Sequence, residues 1–152
     1  MIVRAATGAD VPAMAAAAAA AYRVGFAGII EPLVLVGYDR AYFETRFADA
    51  LASLTVAVAD GIVLGFAKTT AGHLDMLFVQ PRAHGTGAGS ALLAEAEARG
   101  VRTLECFRDN AAARSFYERR GWTLLRAYER EFAGRVRDFV FYGKDSPPTA
   151  SG

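Results

Sequence analysis

The chain has 152 residues, enough for one domain with its own core. Its 17 lysines and arginines against 16 aspartates and glutamates leave a net charge of +1, which gives no electrostatic footing for nucleic acid or an anionic membrane as the main partner. One cysteine, Cys106, excludes an intrachain disulfide, and the two histidines, His73 and His84, fit no common zinc spacing, so no metal site is expected and a reducing cytoplasm is the expected compartment.

Residues 2–6 read as a short strand. The turn Thr7-Gly8-Ala9-Asp10 ends on a residue suited to N-cap a helix that runs to about Arg23, with Pro12 tolerated in its first turn. The alanines from Ala15 to Ala21, after Arg4, faintly resemble a signal peptide, but Asp10 and Pro12 interrupt the place where the apolar region would begin. No uninterrupted apolar stretch reaches the ~18 residues a membrane span needs, and alanine is the best helix former, so the run is read as helix. Residues 24–36 carry two glycines and Pro32 and read as a loop. A second helix is expected over about 38–51, where Phe43, Phe47, Ala50, Leu51 and Leu54 form one apolar stripe.

Residues 55–59 and 62–67 are rich in strand formers and flank Asp60-Gly61, a two-residue hairpin signal. A strand over 74–79 is stopped by Pro81, and a glycine-rich loop leads into a helix over about 87–99. Residues 103–107 read as a strand and 110–120 as a helix, capped by Asp109 or Asn110 and ended by Gly121. Two strands follow, roughly 123–131 and 135–142. A three-residue Phe132-Ala133-Gly134 loop is expected between them, because it sets Glu131 opposite Arg135 and Glu129 opposite Arg137, whereas a two-residue loop would face like charges. The element order describes one α/β domain over 1–143 with a mixed, mostly antiparallel sheet covered by helices. The polar tail, 144–152, is expected to be disordered.

The segment from Leu77 to Ser90 runs from strand through His84-Gly85-Thr86-Gly87-Ala88-Gly89 into a helix. Alternate glycines let successive backbone N–H groups turn toward one anion, and the helix N-terminus adds its positive end, so a diphosphate is the natural ligand. The same glycines also suit a tight strand-to-helix connection with no ligand. No Gly-Lys-Ser/Thr follows and the spacing is not G-x-G-x-x-G, so neither a Walker A loop nor a dinucleotide fingerprint is present.

This segment, from Val79-Gln80-Pro81 through Gly89 to Leu92-Leu93, resembles motif A of the GCN5-related N-acetyltransferases, patterned Arg/Gln-x-x-Gly-x-Gly/Ala. Downstream, Asn110-Ala111-Ala112-Ala113-Arg114-Ser115-Phe116-Tyr117-Glu118-Arg119-Arg120-Gly121-Trp122 resembles motif B of the same family. Motif B at this distance after motif A makes the resemblance specific. It covers about residues 1–143 and implies an α+β fold with a seven-stranded, mostly antiparallel sheet and helices on both faces. The implied activity is transfer of an acetyl group from acetyl-CoA to a primary amine by direct attack in a ternary complex. The acceptor would be a small molecule or a peptide, with no nucleic acid and no membrane, and dimers are frequent among relatives. One departure stands at His84, where the family usually has Arg or Gln. Histidine binds phosphate as a cation only when protonated, so cofactor affinity is expected to weaken above neutral pH.

Asn110 and Tyr117 are seven residues apart on one helix and so share a stripe, while Phe116 points elsewhere and reads as core. By resemblance, Asn110 and Ala113 border the pantetheine arm, and Tyr117 protonates the departing thiolate. The resemblance also implies that the strand before the loop splays from its neighbour. Leu77 and Val79, around Phe78, would then lend backbone N–H groups to the acyl oxygen. His84, Gly85, Thr86, Gly87, Ala88, Gly89 and Ser90 would hold the diphosphate. His73 stands where many relatives carry Glu, and Asp75, two residues on, is expected on the same face as Leu77 and Val79, opposite Leu74, Met76 and Phe78; either is a candidate base, as is water. Cys106 reads as a small buried residue rather than a nucleophile. The acceptor would lie between the first two helices and the last strands, among Tyr22, Phe26, Glu31, Tyr38, Tyr42 and Arg46. Rival readings are a non-catalytic acyl-CoA sensor on this fold, a Rossmann nucleotide domain, which the Asp60-Gly61 hairpin opposes, and a scaffold with no ligand.

Overall fold

A computed structural model describes residues 1–145; the rest of the tail expected to be disordered lies outside the described residues. Seven strands form one sheet in the order β1-β2-β3-β4-β5-β7-β6: β1 (Ile2–Ala5), β2 (Leu54–Ala59), β3 (Ile62–Thr70), β4 (His73–Val79), β5 (Thr103–Phe107), β6 (Thr123–Phe132) and β7 (Arg135–Gly143). Every neighbouring pair is antiparallel except β4 with β5. The sheet is thus mixed and mostly antiparallel, as the element order predicts.

Helices cover both faces. On one lie α1 (Val11–Gly25) and α3 (Arg40–Ala48), with the short α2 (Pro32–Leu35) between them, inside the stretch read as loop. Ala15, Ala17 and Ala18 are almost wholly buried, so the alanine run lets α1 pack close to Val56 and Phe66 of the sheet. Phe43 and Phe47 anchor α3 in the same core, each contributing roughly 1.5–3 kcal/mol by burial. On the opposite face lie α4 (Ala88–Ala98) and α5 (Ala111–Glu118), where Leu92, Leu93 and Tyr117 pack on Leu74, Leu104 and Tyr142. Among the described residues no helix is long and apolar enough to cross a membrane.

Asp10 makes no cap hydrogen bond to α1. Its carboxylate works backwards instead, accepting from the Thr7 amide at 2.8 Å and pairing with Arg4 at 2.7 Å. The Asp60-Gly61 hairpin forms as expected, with both φ values positive, 52° and 75°. The last hairpin corrects the expected register. Its loop has two residues, Ala133 and Gly134, with φ of 52° and 85°, and Phe132 stands opposite Arg135, Arg130 opposite Arg137, Glu129 opposite Asp138. Two left-handed residues give the turn whose twist matches the strands. The like-charge pairs are tolerated because three of the four charges have a partner elsewhere: Arg137 with Glu31, Arg130 with Glu105, Asp138 with Arg108.

Candidate active site

The site begins where two parallel strands part. β4 pairs with β5 only at His73–Thr103 and Leu74–Leu104. Beyond these pairs β4 stays on β3 as far as Val79, opposite Gly65, while β5 stays on β7 as far as Phe107, opposite Phe139. The wedge between them opens into a cavity of about 310 Å³, walled by β4, β5, α5 and the end of α1.

Strand geometry decides which amides face this wedge. Gln80 N donates toward β3, to Leu64 O at 2.8 Å. Successive N–H groups alternate in direction, so Phe78 and Met76 also donate toward β3, and the Leu77 and Val79 amides face the wedge.

The expected side-chain alternation on β4 does not hold. The β3–β4 register shifts between Lys68 and Thr69, leaving Asp75 without a cross-strand partner. This bulge puts Leu74, Leu77 and Val79 in one core, and Met76 and Phe78 in the other. At the other end of β4, opposite Val79, Gly65 is required because a Cβ there would lie 2.6 Å from Phe78 O.

The wedge continues, past Leu77, Val79, Ala113 and Tyr117, into a second cavity of about 640 Å³ over the glycine-rich loop. Gly85 and Gly87 have φ of 84° and 89°, and nothing lies within 4 Å of a Cβ built on either. Gly89 is helical, and a Cβ there would touch Phe116 at 3.4 Å, an ordinary contact, so packing does not require this glycine. The first turn of α4 has no side-chain cap, which leaves the Gly89 and Ser90 amides without an internal partner. The Thr86 amide differs: it turns inward to Ala83 O at 3.2 Å, its hydroxyl donates to the same oxygen at 2.6 Å, and the Ala88 amide makes a long 3.4 Å contact with that hydroxyl. His84 Nε2 sits 3.2 Å from Val79 O; since a carbonyl only accepts, that nitrogen carries the proton.

Sequence reasoning missed Arg120. Its Nε and Nη2 reach Ser90 Oγ at 3.1 and 2.6 Å, its guanidinium lies 3.8 Å over the Phe116 ring, and it lines the loop cavity. Ser90 Oγ accepts twice, so its own O–H is turned elsewhere. Phe116 is half-buried, packed against the core of this face with the Arg120 cation over its ring. The signal was present as the arginine before the Gly121-Trp122 end of motif B, but nothing in the spacing linked it to Ser90.

On α5, Asn110 caps the helix, its Oδ1 accepting from the Ala113 amide at 3.2 Å, and it shares the wedge with Tyr117 as the seven-residue spacing predicts. Tyr117 is 8% exposed. Burial pushes its phenol well above the ordinary tyrosine range, so the hydroxyl stays protonated. Burial also pushes the Cys106 thiol up to about 11, so this wall of the wedge holds a neutral thiol at pH 7, as the apolar reading expects.

The structure does not bring His73 and Asp75 together. His73 Nδ1 lies 2.8 Å from Thr103 Oγ1 and its ring stacks on Phe141, away from the residues that wall the wedge. Asp75 reaches the rim, held by Thr70 and by Lys68 at 3.1 Å. The carboxylate inside the wedge is Glu105, which sequence reasoning also missed, since one acid in an apolar strand carries no motif. Burial raises its pKa, but hydrogen bonds from Arg130 and Tyr128 outweigh this and hold it below the ordinary range.

Of the acceptor candidates, Tyr22 and Phe26 line the wedge. Glu31 does not face it; both its oxygens are taken by Arg135 and Arg137. Tyr38 stacks on Tyr22, and Arg46 lies over Tyr42 at 4.4 Å. Among the described residues no three acidic, His or Cys side chains cluster to hold a metal.

Residues 36–137 match the family model described as acetyltransferase (GNAT) domain. No curated protein matches the chain. Among solved structures, a GCN5-related N-acetyltransferase from Rhodopseudomonas palustris superposes with a TM-score of 0.74 at 25% identity, covering 94% of each chain. A PaiA N-acetyltransferase from Thermoplasma acidophilum, crystallised with coenzyme A, gives 0.74 at 19% identity over 95% of this chain and 98% of its own. A phosphinothricin acetyltransferase from Sinorhizobium meliloti, crystallised with acetyl-CoA, gives 0.67 at 21% identity over 99% and 94%.

Proposed function

The chain belongs to the GNAT acetyltransferase family, and from that premise we propose that it transfers the acetyl group of acetyl-CoA to a primary amine by direct attack in a ternary complex. One observation carries the reading: a single wedge has two free backbone donors, Leu77 and Val79, on one wall and a protonated phenol, Tyr117, on the other, and it runs on to an uncapped helix N-terminus.

The residues present fit the cofactor. Gly85 and Gly87 leave open space where side chains would stand, and Gly89 is free of any packing need. The amides of Gly85, Gly87, Ala88, Gly89 and Ser90, with the α4 dipole, would hold the diphosphate; the Thr86 amide, turned inward, shapes the loop. Arg120 supplies the permanent cation that the loop lacks. With Nε2 donating to Val79 O, His84 has a second N–H for phosphate only as imidazolium.

Acetyl-CoA supplies a thioester, whose carbonyl gains negative charge as the amine adds and whose sulfur leaves as thiolate. The Leu77 and Val79 amides are donors aimed at that oxygen. Tyr117 gives its proton to the sulfur as the C–S bond breaks. The amine's proton leaves to water in the wedge; Asp75, paired with Lys68, and Glu105, held as a carboxylate by Arg130, orient that water. His73 serves the fold rather than the proton path.

Calorimetry with acetyl-CoA and with NADH, followed by an amine panel monitored for free thiol, tests the proposal. Saturable binding of acetyl-CoA alone and thiol release with an amine are expected. Binding without release with any amine would leave a sensor, and binding of neither cofactor would reject both.

A further inference from the structure

Resting on the acyl-transfer reading, the geometry points to the class of the acceptor: a small primary amine on an apolar body, without a carboxylate, enclosed under a clasp that bars a polypeptide from running through.

The clasp ties the α1–α3 connection to the β6–β7 hairpin at two points. Glu31 bridges Arg135 at 2.9 Å and Arg137 at 2.8 Å. Arg137, 8% exposed, also donates to Ile29 O at 2.9 Å and to Phe132 O at 2.7 Å, so the arginine end of this tie is buried and several-fold, while Glu31 is partly exposed. The second tie is Tyr38, whose ring lies parallel to Phe132 at 6.4 Å, within 9°. A peptide entering between these elements would have to break both.

Beneath the clasp the walls are aromatic. Phe107 meets Phe26 at 4.9 Å and Phe139 at 4.8 Å, with Phe132 at 5.5 Å, and all four line the wedge. Its 310 Å³ is at the small end for a ligand site and must also take the acetyl end of the cofactor. Apolar surface of this kind rewards an apolar body, and ring faces attract an ammonium.

The charges decide the rest. Apart from tyrosines and Cys106, the ionisable side chains on the walls are Asp75, His84, Glu105 and Arg130. Arg130 has its fork on Glu105, Nε at 3.0 Å from both oxygens, and Nη1 on Glu131 O at 3.1 Å. His84 sits on the cofactor side, bonded to Val79 O. An acceptor carboxylate would therefore meet no uncommitted cation and would be buried unpaired. An ammonium meets carboxylates instead: Asp75 on the wall takes Lys68 and Thr70 both on Oδ2, which leaves acceptor sites on a carboxylate that has about four, while Arg130 and Tyr128 already engage Glu105.

The test compares phenethylamine, phenylalanine and an eight-residue peptide amide that begins with phenylalanine, by thiol release, with acetyl-CoA affinity measured separately by calorimetry. Phenethylamine should exceed each of the others in kcat/KM by about tenfold or more. Glu31→Gln, which removes the charge both arginines hold, should narrow the amine-to-peptide ratio by about threefold, with cofactor affinity unchanged. If a protein that binds acetyl-CoA ignores phenethylamine, or accepts phenylalanine or the peptide as well, the acceptor class is overturned while the cofactor reading stands. Failure to bind acetyl-CoA would remove both.

Discussion

At the scale of single residues, the chemistry of the wedge rests on how burial sets protonation. Tyr117 keeps its proton because burial disfavours the phenolate, which is what an acid needs. Arg120 is the residue whose role is most exposed to test. It lies at the loop cavity with Ser90 as its only side-chain acceptor, so it is placed to meet a phosphate. Arg120→Gln is expected to weaken acetyl-CoA binding by about tenfold or more, while leaving acetyl-pantetheine, which has no diphosphate, unaffected; equal losses for both ligands would show a structural role only. Asn110, Tyr117 and the glycines were legible in the sequence because each sits in a motif at a fixed spacing. Arg120, Glu105 and the setting of His73 were not. Their partners, Ser90, Arg130 and Thr103, lie 25 to 30 residues away, and only the fold brings them together.

Among the elements, two details decide the site. The bulge at Asp75 rotates the first part of β4, so that Leu74 joins the core of Leu77; strict alternation misassigned that face because a bulge leaves no mark in residue type. The β6–β7 hairpin shows the converse error. Charge pairing along the two strands favoured a longer loop, yet the local turn preference of Ala133-Gly134 prevailed, since third elements neutralise most of the facing charges. One consequence is measurable. The hydrogen bonds from Arg137 hold the Glu31 carboxyl down to about 2, against an ordinary 4.5. Between these values the unfolded chain binds the proton and the folded one does not, so stability present above pH 4.5 is lost as pH falls toward 2. Glu31→Gln should flatten this part of the stability–pH curve; an unchanged slope would show that the clasp is not held by charge.

The whole molecule divides the work between the two faces of its sheet. One core, α4 and α5 on the sheet, fixes the loop and Tyr117; the other, α1 and α3, supplies the aromatic floor; the parting of β4 from β5 joins them. The element order and the mixed, mostly antiparallel sheet followed from the succession of hairpins and helices; the strand order did not, because β5 leads into β6 yet lies beside β7. The claim on which the rest depends is that Tyr117 acts on the sulfur across this opening. Tyr117→Phe, with kcat and acetyl-CoA dissociation constant measured on the same preparation, tests it most directly. The account predicts a fall in kcat of about a hundredfold or more with the dissociation constant unchanged; a kcat within about threefold of the parent would contradict it.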